Sequence, residues 1–297
     1  MKQENFTKNQ HYIPQVYLRG FSPEYKPLRK SKLKSSAYTI YTYAIGKEEQ
    51  LKNSVPIDDV CQIKYLYEMK NEAGEFINPN WLEKAFKCLE DMFSDYRYRL
   101  EKKSFHEENY SIKHFLDKEE IVFWLSYISL QVIRLPELLE TAQQEVKRLC
   151  GNTVSDNDAR NFVRRYCIPL FGEVNEKSKE TMVFNSIIGP MFPMDIIVGV
   201  DIEGKLLTSD KTVYIYTNEI PCDSYEEVIF PITSQICFVL LGGEKKEGVD
   251  HNRLFPIGAD QRDYINGCIS STAFNKVYSN HLFSKRERKI VEESRII

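Results

Sequence analysis

The segment that decides the fold is DKEEIVFWLSYISLQVIRLP, residues 117–136. Asp117 and Glu120 stand three residues apart, which is a capping-box pattern and predicts that a helix begins after Asp117. The helix is apolar on nearly every side, so we expect it to lie at the centre of the core. Pro136 has no backbone N–H and ends or kinks this helix. A second helix is predicted to follow, and Gly151 ends it.

Strand patterns flank this helical middle on both sides. Residues 38–45, YTIYTYAI, alternate β-branched and aromatic side chains and predict a strand before the helices. After Met194, runs of the same type predict strands at Ile196–Val200, Lys205–Thr208, Val213–Tyr216, Val228–Phe230 and Ile236–Leu241. A final helix is predicted over about Asp260 to Glu293.

This order of elements predicts the fold class. Strands, helices, strands and a helix do not alternate as a βαβ series does, which favours α+β. We expect a helical middle with an antiparallel or mixed sheet built from N-terminal and C-terminal strands. Because the two strand groups are expected to pair in one sheet, residues 1–297 are predicted to form a single composite domain.

A further helix is predicted to begin at Asn80. Apolar side chains recur at helical spacing at Leu82, Phe86, Leu89, Phe93, Tyr96 and Leu100. Asn80 and Glu83 repeat the capping-box spacing, so Glu83 is expected to serve the helix start. A short strand is predicted just before it, at Tyr65–Met69.

Composition excludes several classes of protein. The chain has 297 residues, of which 42% are apolar and 28% charged, and these proportions argue against disordered and fibrous proteins. The net charge of -3 excludes a chain-wide basic field but not a local basic patch. No signal peptide or membrane-spanning run is recognised, and the seven cysteines are scattered, so a cytoplasmic location is expected. No cysteine or histidine spacing suits a metal, and no nucleotide-cofactor motif occurs, so neither a metal nor a cofactor is predicted.

Three segments are distinctive when taken together. They are HYIPQVYLRGF at residues 11–21, LQVIRLP at 130–136, and LTSDKTV at 207–213 followed by FPI at 230–232. Together they resemble the domain of unknown function 4238 family, with its HYxPxxYLRxF-type opening, RxP-type turn and TSDxPV-type segment. A weaker match, AFNKVYS at 273–279, resembles the closing helix of that family. The resemblance spans about residues 9 to 280, but Thr212 stands where the family pattern has proline, and the family supplies no established activity.

These segments contain the candidate site residues. His11 is a candidate proton donor or acceptor, because histidine titrates near neutral pH. Asp210 would orient it, so His11 and Asp210 are the predicted catalytic pair. The predicted substrate-binding residues are Arg19, Gln131, Arg134 and Ser209, in which the planar guanidinium groups suit phosphate or carboxylate.

Each candidate also has a structural interpretation. His11 and Arg19 would tie an extended segment to the core by hydrogen bonds. Arg134 would be a buried arginine satisfied by a carboxylate and by carbonyl groups near Pro136. Ser209 and Asp210 would bond their own backbone in a turn.

A loop of five basic residues without an acidic one follows the first segment: Lys26, Arg29, Lys30, Lys32 and Lys34. It is either a solvated loop or a surface that contacts the phosphates of a nucleic acid. Two hypotheses therefore stay open, an enzyme acting on a phosphate-bearing substrate such as nucleic acid, and a non-catalytic binding or regulatory module with a buried polar network. A defence or toxin role is compatible with either, although no residue indicates it.

Overall fold

The computed structural model describes residues 7–29, 34–46, 54–106, 113–151, 153–167, 187–217, 224–247 and 250–294. Its helices are α1 (Gln15–Leu18), α2 (Trp81–Ser104), α3 (Lys118–Ile133), α4 (Pro136–Leu149), α5 (Asp156–Phe162), α6 (Ala259–Thr272) and α7 (Lys285–Glu293). A π-helix, Val163–Cys167, continues from α5. The strands before α2 are β1 (Asn9–His11), β2 (Thr39–Ala44), β3 (Val55–Pro56), β4 (Gln62–Lys64), β5 (Met69–Lys70) and β6 (Phe76–Ile77). Those after α5 are β7 (Asp195–Val200), β8 (Thr208–Ser209), β9 (Tyr214–Tyr216), β10 (Glu227–Pro231), β11 (Ile236–Leu241), β12 (Arg253–Pro256) and β13 (Lys276–Ser279).

The central helix α3 lies in the core, as its sequence predicted. Its capping box is formed, since Asp117 accepts a hydrogen bond from the Glu120 N–H and Glu120 accepts one from the Asp117 N–H. Trp124 is 1% exposed, and its ring lies 5.0 Å from that of Phe238 on β11. On the other side, Phe93 of α2 stacks on Tyr127 with ring centroids 4.4 Å apart. The helix is therefore held between α2 and a sheet.

The sheets confirm the α+β class. A five-stranded sheet has the order β12-β7-β11-β10-β9, and all its pairs are antiparallel except β12 with β7. A four-stranded sheet, β3-β2-β13-β8, joins the N-terminal strand β2 to strands from the end of the chain. The predicted sheet of N-terminal and C-terminal strands is therefore present, but it does not include all the late strands, because β7, β9, β10, β11 and β12 form a separate sheet.

The first and third distinctive segments pack against each other. The Tyr17 hydroxyl lies 2.8 Å from Thr208 Oγ1 and donates to the Pro231 carbonyl at 2.8 Å. Gly20 fits here because a Cβ at this position would lie 3.0 Å from the Ile232 carbonyl oxygen. The first segment therefore docks onto the core through Tyr17 and Gly20.

Two local predictions were wrong. The predicted helix over Asp260–Glu293 is divided into α6 and α7 by the strand β13, because the Asp210 carboxylate holds the backbone N–H groups just before and at the start of β13. The predicted strand at Tyr65–Met69 is a turn between β4 and β5, in which Tyr65 has a φ of 57°. Side chains of Arg160 and Arg164 bind the carbonyl groups of that turn.

Within the described ranges, no single helix is long and apolar enough to cross a membrane. Helices α3 and α4, bent by 70° at their junction, meet the length and composition requirement only as a pair.

Candidate functional site

The start of α2 departs from the capping box that its sequence predicts. Asn80 has a φ of 60° and its side chain makes no capping hydrogen bond to the helix. Its Oδ1 instead accepts from the Thr7 N–H at 2.9 Å, and its own N–H donates to Glu68 at 3.2 Å. The prediction that Glu83 caps the helix was therefore wrong, because the Asn80 N–H that Glu83 would bind is already used by Glu68.

Glu83 lies in a cleft of about 470 Å³ along α2. The side chains that line this cleft include Gln15, Arg19, Glu83, Lys84, Lys87 and Glu90. Glu83 Oε1 is buried and has no hydrogen-bond partner among the described residues. Burial raises the pKa of Glu83 to about 7, with Arg134 acting against the rise and Glu90 and Glu68 adding to it. A carboxyl group with this pKa can give or take a proton at neutral pH.

Arg134 is buried beside Glu90 of this cleft, and both of its Nη atoms donate hydrogen bonds, whereas its Nε has no hydrogen-bond partner among the described residues. It is 2% exposed, its Nη1 donates to Glu90 Oε1 at 2.9 Å and its Nη2 donates to the His11 carbonyl at 2.7 Å. Its guanidinium carbon lies 4.3 Å from the centre of the Phe86 ring. Burial acts to lower the pKa of Arg134, but Tyr67 and Glu90 raise it above its ordinary value. Arg134 thus connects the strand β1 to α2 and is not placed to bind a substrate.

His11 lies next to the cleft, behind Gln15. Its Nε2 is 3.2 Å from the Asp58 carbonyl oxygen and 3.3 Å from Gln15 Nε2. Only one of these can be a hydrogen bond for a given tautomer, because a ring nitrogen either donates or accepts. Burial lowers the pKa of His11, while Asp58 acts in the opposite direction. The imidazole is therefore neutral, and able to accept a proton, over more of the acidic range than an exposed histidine.

Gln131 and Tyr127 form the buried wall behind Glu90. Gln131 is 1% exposed, and neither of its amide atoms makes a hydrogen bond with any residue that the structure describes. The Tyr127 hydroxyl faces Gln131 but without the geometry of a hydrogen bond. Tyr127, Gln131 and Arg134 are spaced four and three residues apart, so they lie on one side of α3. Tyr127 stacks on Phe93 and Arg134 bonds Glu90, so this side faces α2.

Arg19 lines the cleft as a half-buried side chain, and its guanidinium carbon lies 5.4 Å from the centre of the Tyr38 ring. Burial lowers its pKa. The lining also includes the basic Lys84 and Lys87 and the acidic Glu83, Glu90 and Asp91. Arg19, Lys84 and Lys87 are the groups of this cleft that suit an anionic ligand.

Asp210 and Ser209 lie elsewhere, on the four-stranded sheet. The Asp210 carboxylate accepts hydrogen bonds from the backbone N–H groups of Phe274 (2.7 Å), Asn275 (2.9 Å) and Lys276 (3.0 Å). Burial raises its pKa although these bonds act to lower it. The Ser209 hydroxyl donates to the Lys211 carbonyl at 2.6 Å.

The predicted contact between Asp210 and His11 is absent from the hydrogen bonds of the described residues, as is a pairing of Asp210 with Arg134. Ser209 bonds the backbone of its own turn, as its structural interpretation predicts, whereas the Asp210 carboxylate bonds the distant backbone N–H groups of residues 274–276. We therefore leave Ser209 and Asp210 out of the candidate site.

The basic loop lies at the other end of α2. Lys26, Arg29 and Lys34 are exposed, whereas Lys30 and Lys32 lie outside the described residues. The loop is fixed to α2 through Glu101, which accepts a hydrogen bond from the Leu28 N–H at 3.1 Å.

The sequence contained a pattern that could have identified the cleft. Polar side chains recur along α2 at Glu83, Lys87, Glu90 and Ser94, at the spacing of one helix side. The apolar residues Leu82, Phe86 and Phe93 give the clearer helical pattern, and they indicate only which side of α2 is buried. A polar stripe alone does not reveal a cleft, because most helices have one exposed side.

A larger cavity, of about 640 Å³, lies between α6 and the five-stranded sheet. Its lining is mainly apolar, and its acidic groups are Asp250, which pairs with Arg253, and the exposed Asp260. The cleft beside α2 is the better candidate for proton transfer. No group of three histidine, cysteine, aspartate or glutamate side chains suitable for a metal ion occurs among the residues that the structure describes.

Comparison with known proteins agrees with the distinctive segments. A family model described as protein of unknown function (DUF4238) matches residues 9–282, which is most of the chain. No curated protein and no solved structure matches the chain significantly. The match includes the segments around His11, Arg134 and Asp210, and the cleft beside α2 as well. The chain therefore belongs to the DUF4238 family.

Proposed function

We propose that the cleft beside α2 is an acid–base active site acting on a phosphate-bearing substrate, and that this substrate is RNA. The observation that carries the proposal is Glu83, a buried carboxyl group with an unpartnered oxygen and a pKa of about 7. It shares the cleft with Arg19, Lys84 and Lys87, which provide positive charge for phosphate.

The two titratable groups have complementary protonation states. Burial keeps Glu83 partly protonated at neutral pH and keeps His11 neutral. His11 would take the proton from an RNA 2′-hydroxyl, whose oxygen then forms a bond to phosphorus. The bond from phosphorus to the 5′-oxygen breaks, and Glu83 gives its proton to that leaving oxygen. The products are a 2′,3′-cyclic phosphate and a 5′-hydroxyl, with both protons accounted for.

Gln15 sets a condition on this mechanism. Its Nε2 lies 3.3 Å from His11 Nε2, and Gln15 itself lines the cleft. A substrate that reaches His11 must displace the Gln15 side chain. Arg134 acts as a positioning residue, because it holds the backbone of His11 and the carboxylate of Glu90 at once.

The basic loop supports a polymeric substrate. It is bound to Glu101, seven residues beyond Ser94 at the end of the cleft, which is about 10 Å along a helix axis. A chain of phosphates running along α2 would therefore meet the cleft and then Lys26 and Arg29. A small phosphate compound would meet only the cleft.

The test is incubation of the purified protein with RNA, single-stranded DNA and duplex DNA, with and without divalent metal. RNA should be cleaved, and Glu83→Gln and His11→Ala should each lower the rate by about 100-fold or more. The matched control is Glu72→Gln, because Glu72 is exposed and outside the cleft. Intact RNA in every reaction, or unchanged cleavage by Glu83→Gln, would refute the proposal.

The second candidate is a non-catalytic module with a structural polar network. It is favoured by one observation, that Arg134 and Asp210 are both occupied by other groups of this chain. Under that alternative, Glu83→Gln changes stability but no cleavage or binding activity is found for any nucleic acid.

A further inference from the structure

A second cavity, of about 440 Å³, opens at the start of α2. Its lining includes Trp81, Phe162, Arg165 and Tyr166. Trp81 comes from the first turn of α2, and the other three come from the end of α5 and the π-helix that follows. Ligand pockets in proteins have volumes of this order.

Two aromatic rings of this cavity are exposed and lie side by side. Phe162 is 48% exposed and Tyr166 56% exposed, while their ring centroids lie 5.1 Å apart with planes tilted by 47°. Adjacent exposed apolar groups form a patch, and such patches can serve as binding surfaces. π-helices are rare and occur often at functional sites, and this one places Tyr166 beside Phe162.

The polar groups at this cavity fit a base attached to a phosphate. Arg165 provides a cation, with its guanidinium carbon 5.6 Å from the centre of the Tyr166 ring. Asp158 also lines the cavity and can accept hydrogen bonds from base N–H groups. The Asn161 amide is already used, because it both donates to and accepts from the Lys70 backbone.

The cavity adjoins the proposed active site. Trp81 lines the cavity, whereas Asn80, Glu83 and Lys84 line the cleft. Trp81 and Lys84 are about 4.5 Å apart along the helix axis. Base and phosphate of one nucleotide are joined through the sugar, so a single nucleotide can reach both places.

We propose that this cavity holds one unstacked base of a single-stranded RNA whose phosphate lies in the neighbouring cleft. The inference rests on the proposed function for the chemistry of the cleft, and adds that the substrate is single-stranded. Bases within a duplex are stacked and cannot enter such a cavity, whereas exposed aromatic rings bind the bases of single strands.

Binding can be measured apart from cleavage in the Glu83→Gln protein. The probe is a fluorescently labelled single-stranded RNA of about ten nucleotides, followed by anisotropy. Phe162→Ala and Tyr166→Ala should each raise its Kd about fivefold or more. The matched control is Phe192→Ala, whose ring is 55% exposed and lies outside both cavities. The same RNA annealed to its complement should bind more weakly than the single strand.

A second measurement observes the cavity directly. The chain has two tryptophans, and Trp124 is 1% exposed, so Trp81 is the one that a bound base can reach. Unlabelled RNA should quench Trp81 fluorescence in a Trp124→Phe protein, and an abasic strand of equal length should not. Equal Kd values for the Phe162, Tyr166 and Phe192 variants, or duplex binding as tight as single-strand binding, would overturn the inference.

The two proposals fail in different ways. If the protein binds single-stranded RNA through Phe162 and Tyr166 but cleaves no RNA, the cavity stands and the active site fails. If RNA is cleaved with Glu83 required but the Phe162 and Tyr166 variants bind and cleave normally, the active site stands and the cavity fails.

Discussion

Helices α2 and α3 begin with the same sequence pattern but have different first turns. At α3, Asp117 Oδ1 accepts from the Glu120 N–H at 2.8 Å, and Glu120 Oε2 accepts from the Asp117 N–H at 3.0 Å. At α2, Asn80 adopts a left-handed conformation and directs its side chain to Thr7. Glu120 is therefore used by its own helix, while Glu83 is left with a buried oxygen that has no partner among the described residues.

The two carboxyl groups therefore differ in role. Glu120 stabilises the fold through its hydrogen bonds, whereas one oxygen of Glu83 has no hydrogen-bond partner among the described residues. A buried polar atom without a hydrogen bond lowers stability, and such atoms are retained where a ligand or a proton needs them. The comparison can be tested by removing each type of group. Loss of a satisfied group should destabilise the protein, and loss of an unsatisfied one should stabilise it.

The largest loss is expected at Asp210, a buried carboxylate that accepts three backbone hydrogen bonds. Asp210→Ala leaves three backbone N–H groups without their acceptor, and we expect the free energy of unfolding to fall by about 4 kcal/mol. Urea denaturation followed by circular dichroism measures this. Asp210→Asn keeps one oxygen and should lose less. A loss below that of Ser209→Ala, which removes two hydrogen bonds within one turn, would contradict a structural role of Asp210.

An effect of the opposite sign is expected for Glu83→Gln above neutral pH. The pKa of Glu83 is raised from 4.5 to about 7 by folding, so between these values the folded protein binds more protons than the unfolded chain. The free energy of unfolding of the wild type therefore decreases as the pH rises through this range, by about 3 kcal/mol in total. Glutamine does not titrate and avoids this loss.

Urea denaturation of both proteins at pH 5 and pH 8 provides the measurement. The difference between Glu83→Gln and wild type should be more favourable to the variant at pH 8 than at pH 5. An identical difference at the two pH values would show that the pKa of Glu83 is ordinary, and would remove the basis for the proposed active site.

A smaller loss is expected for Glu120→Ala. The substitution removes the acceptor of the Asp117 N–H and the carboxylate that Lys103 Nζ contacts at 2.6 Å. We expect a decrease of about 2 kcal/mol in the free energy of unfolding. The control is Glu120→Gln, which retains an acceptor for the cap and should lose about half as much. Equal stability of all three proteins would mean that this capping box contributes nothing.

Much of the fold was predictable because its determinants are local. The apolar helix α3, its capping box and the strands β2, β7 and β11 follow from patterns within a few residues. The strand β13 did not, because residues 274–276 are held by Asp210, more than sixty positions earlier in the chain. The parallel pairing of β12 with β7 is likewise a contact between distant segments.

The site was predictable only in part, for a related reason. His11, Arg19 and Arg134 were expected to be near one another, and the structure places them around the same end of α2. Glu83 was assigned to a cap because its spacing from Asn80 is the one a capping box needs. Asparagine also tolerates a left-handed conformation, so the same spacing allows two outcomes. The choice between them is made by Thr7 and Glu68, which bind Asn80 from outside the helix.

The smallest effect, and again a gain, is expected for Gln131→Met. Gln131 is 1% exposed and neither amide atom has a hydrogen-bond partner in the described part of the chain, so its burial is unfavourable in the absence of a ligand. Methionine has a similar shape without the polar atoms, and we expect the free energy of unfolding to rise by about 1 kcal/mol. Glu120→Gln, an isosteric change at a satisfied position, provides the comparison in the same urea experiment. A loss for Gln131→Met instead of a gain would show that the Gln131 amide is satisfied in solution.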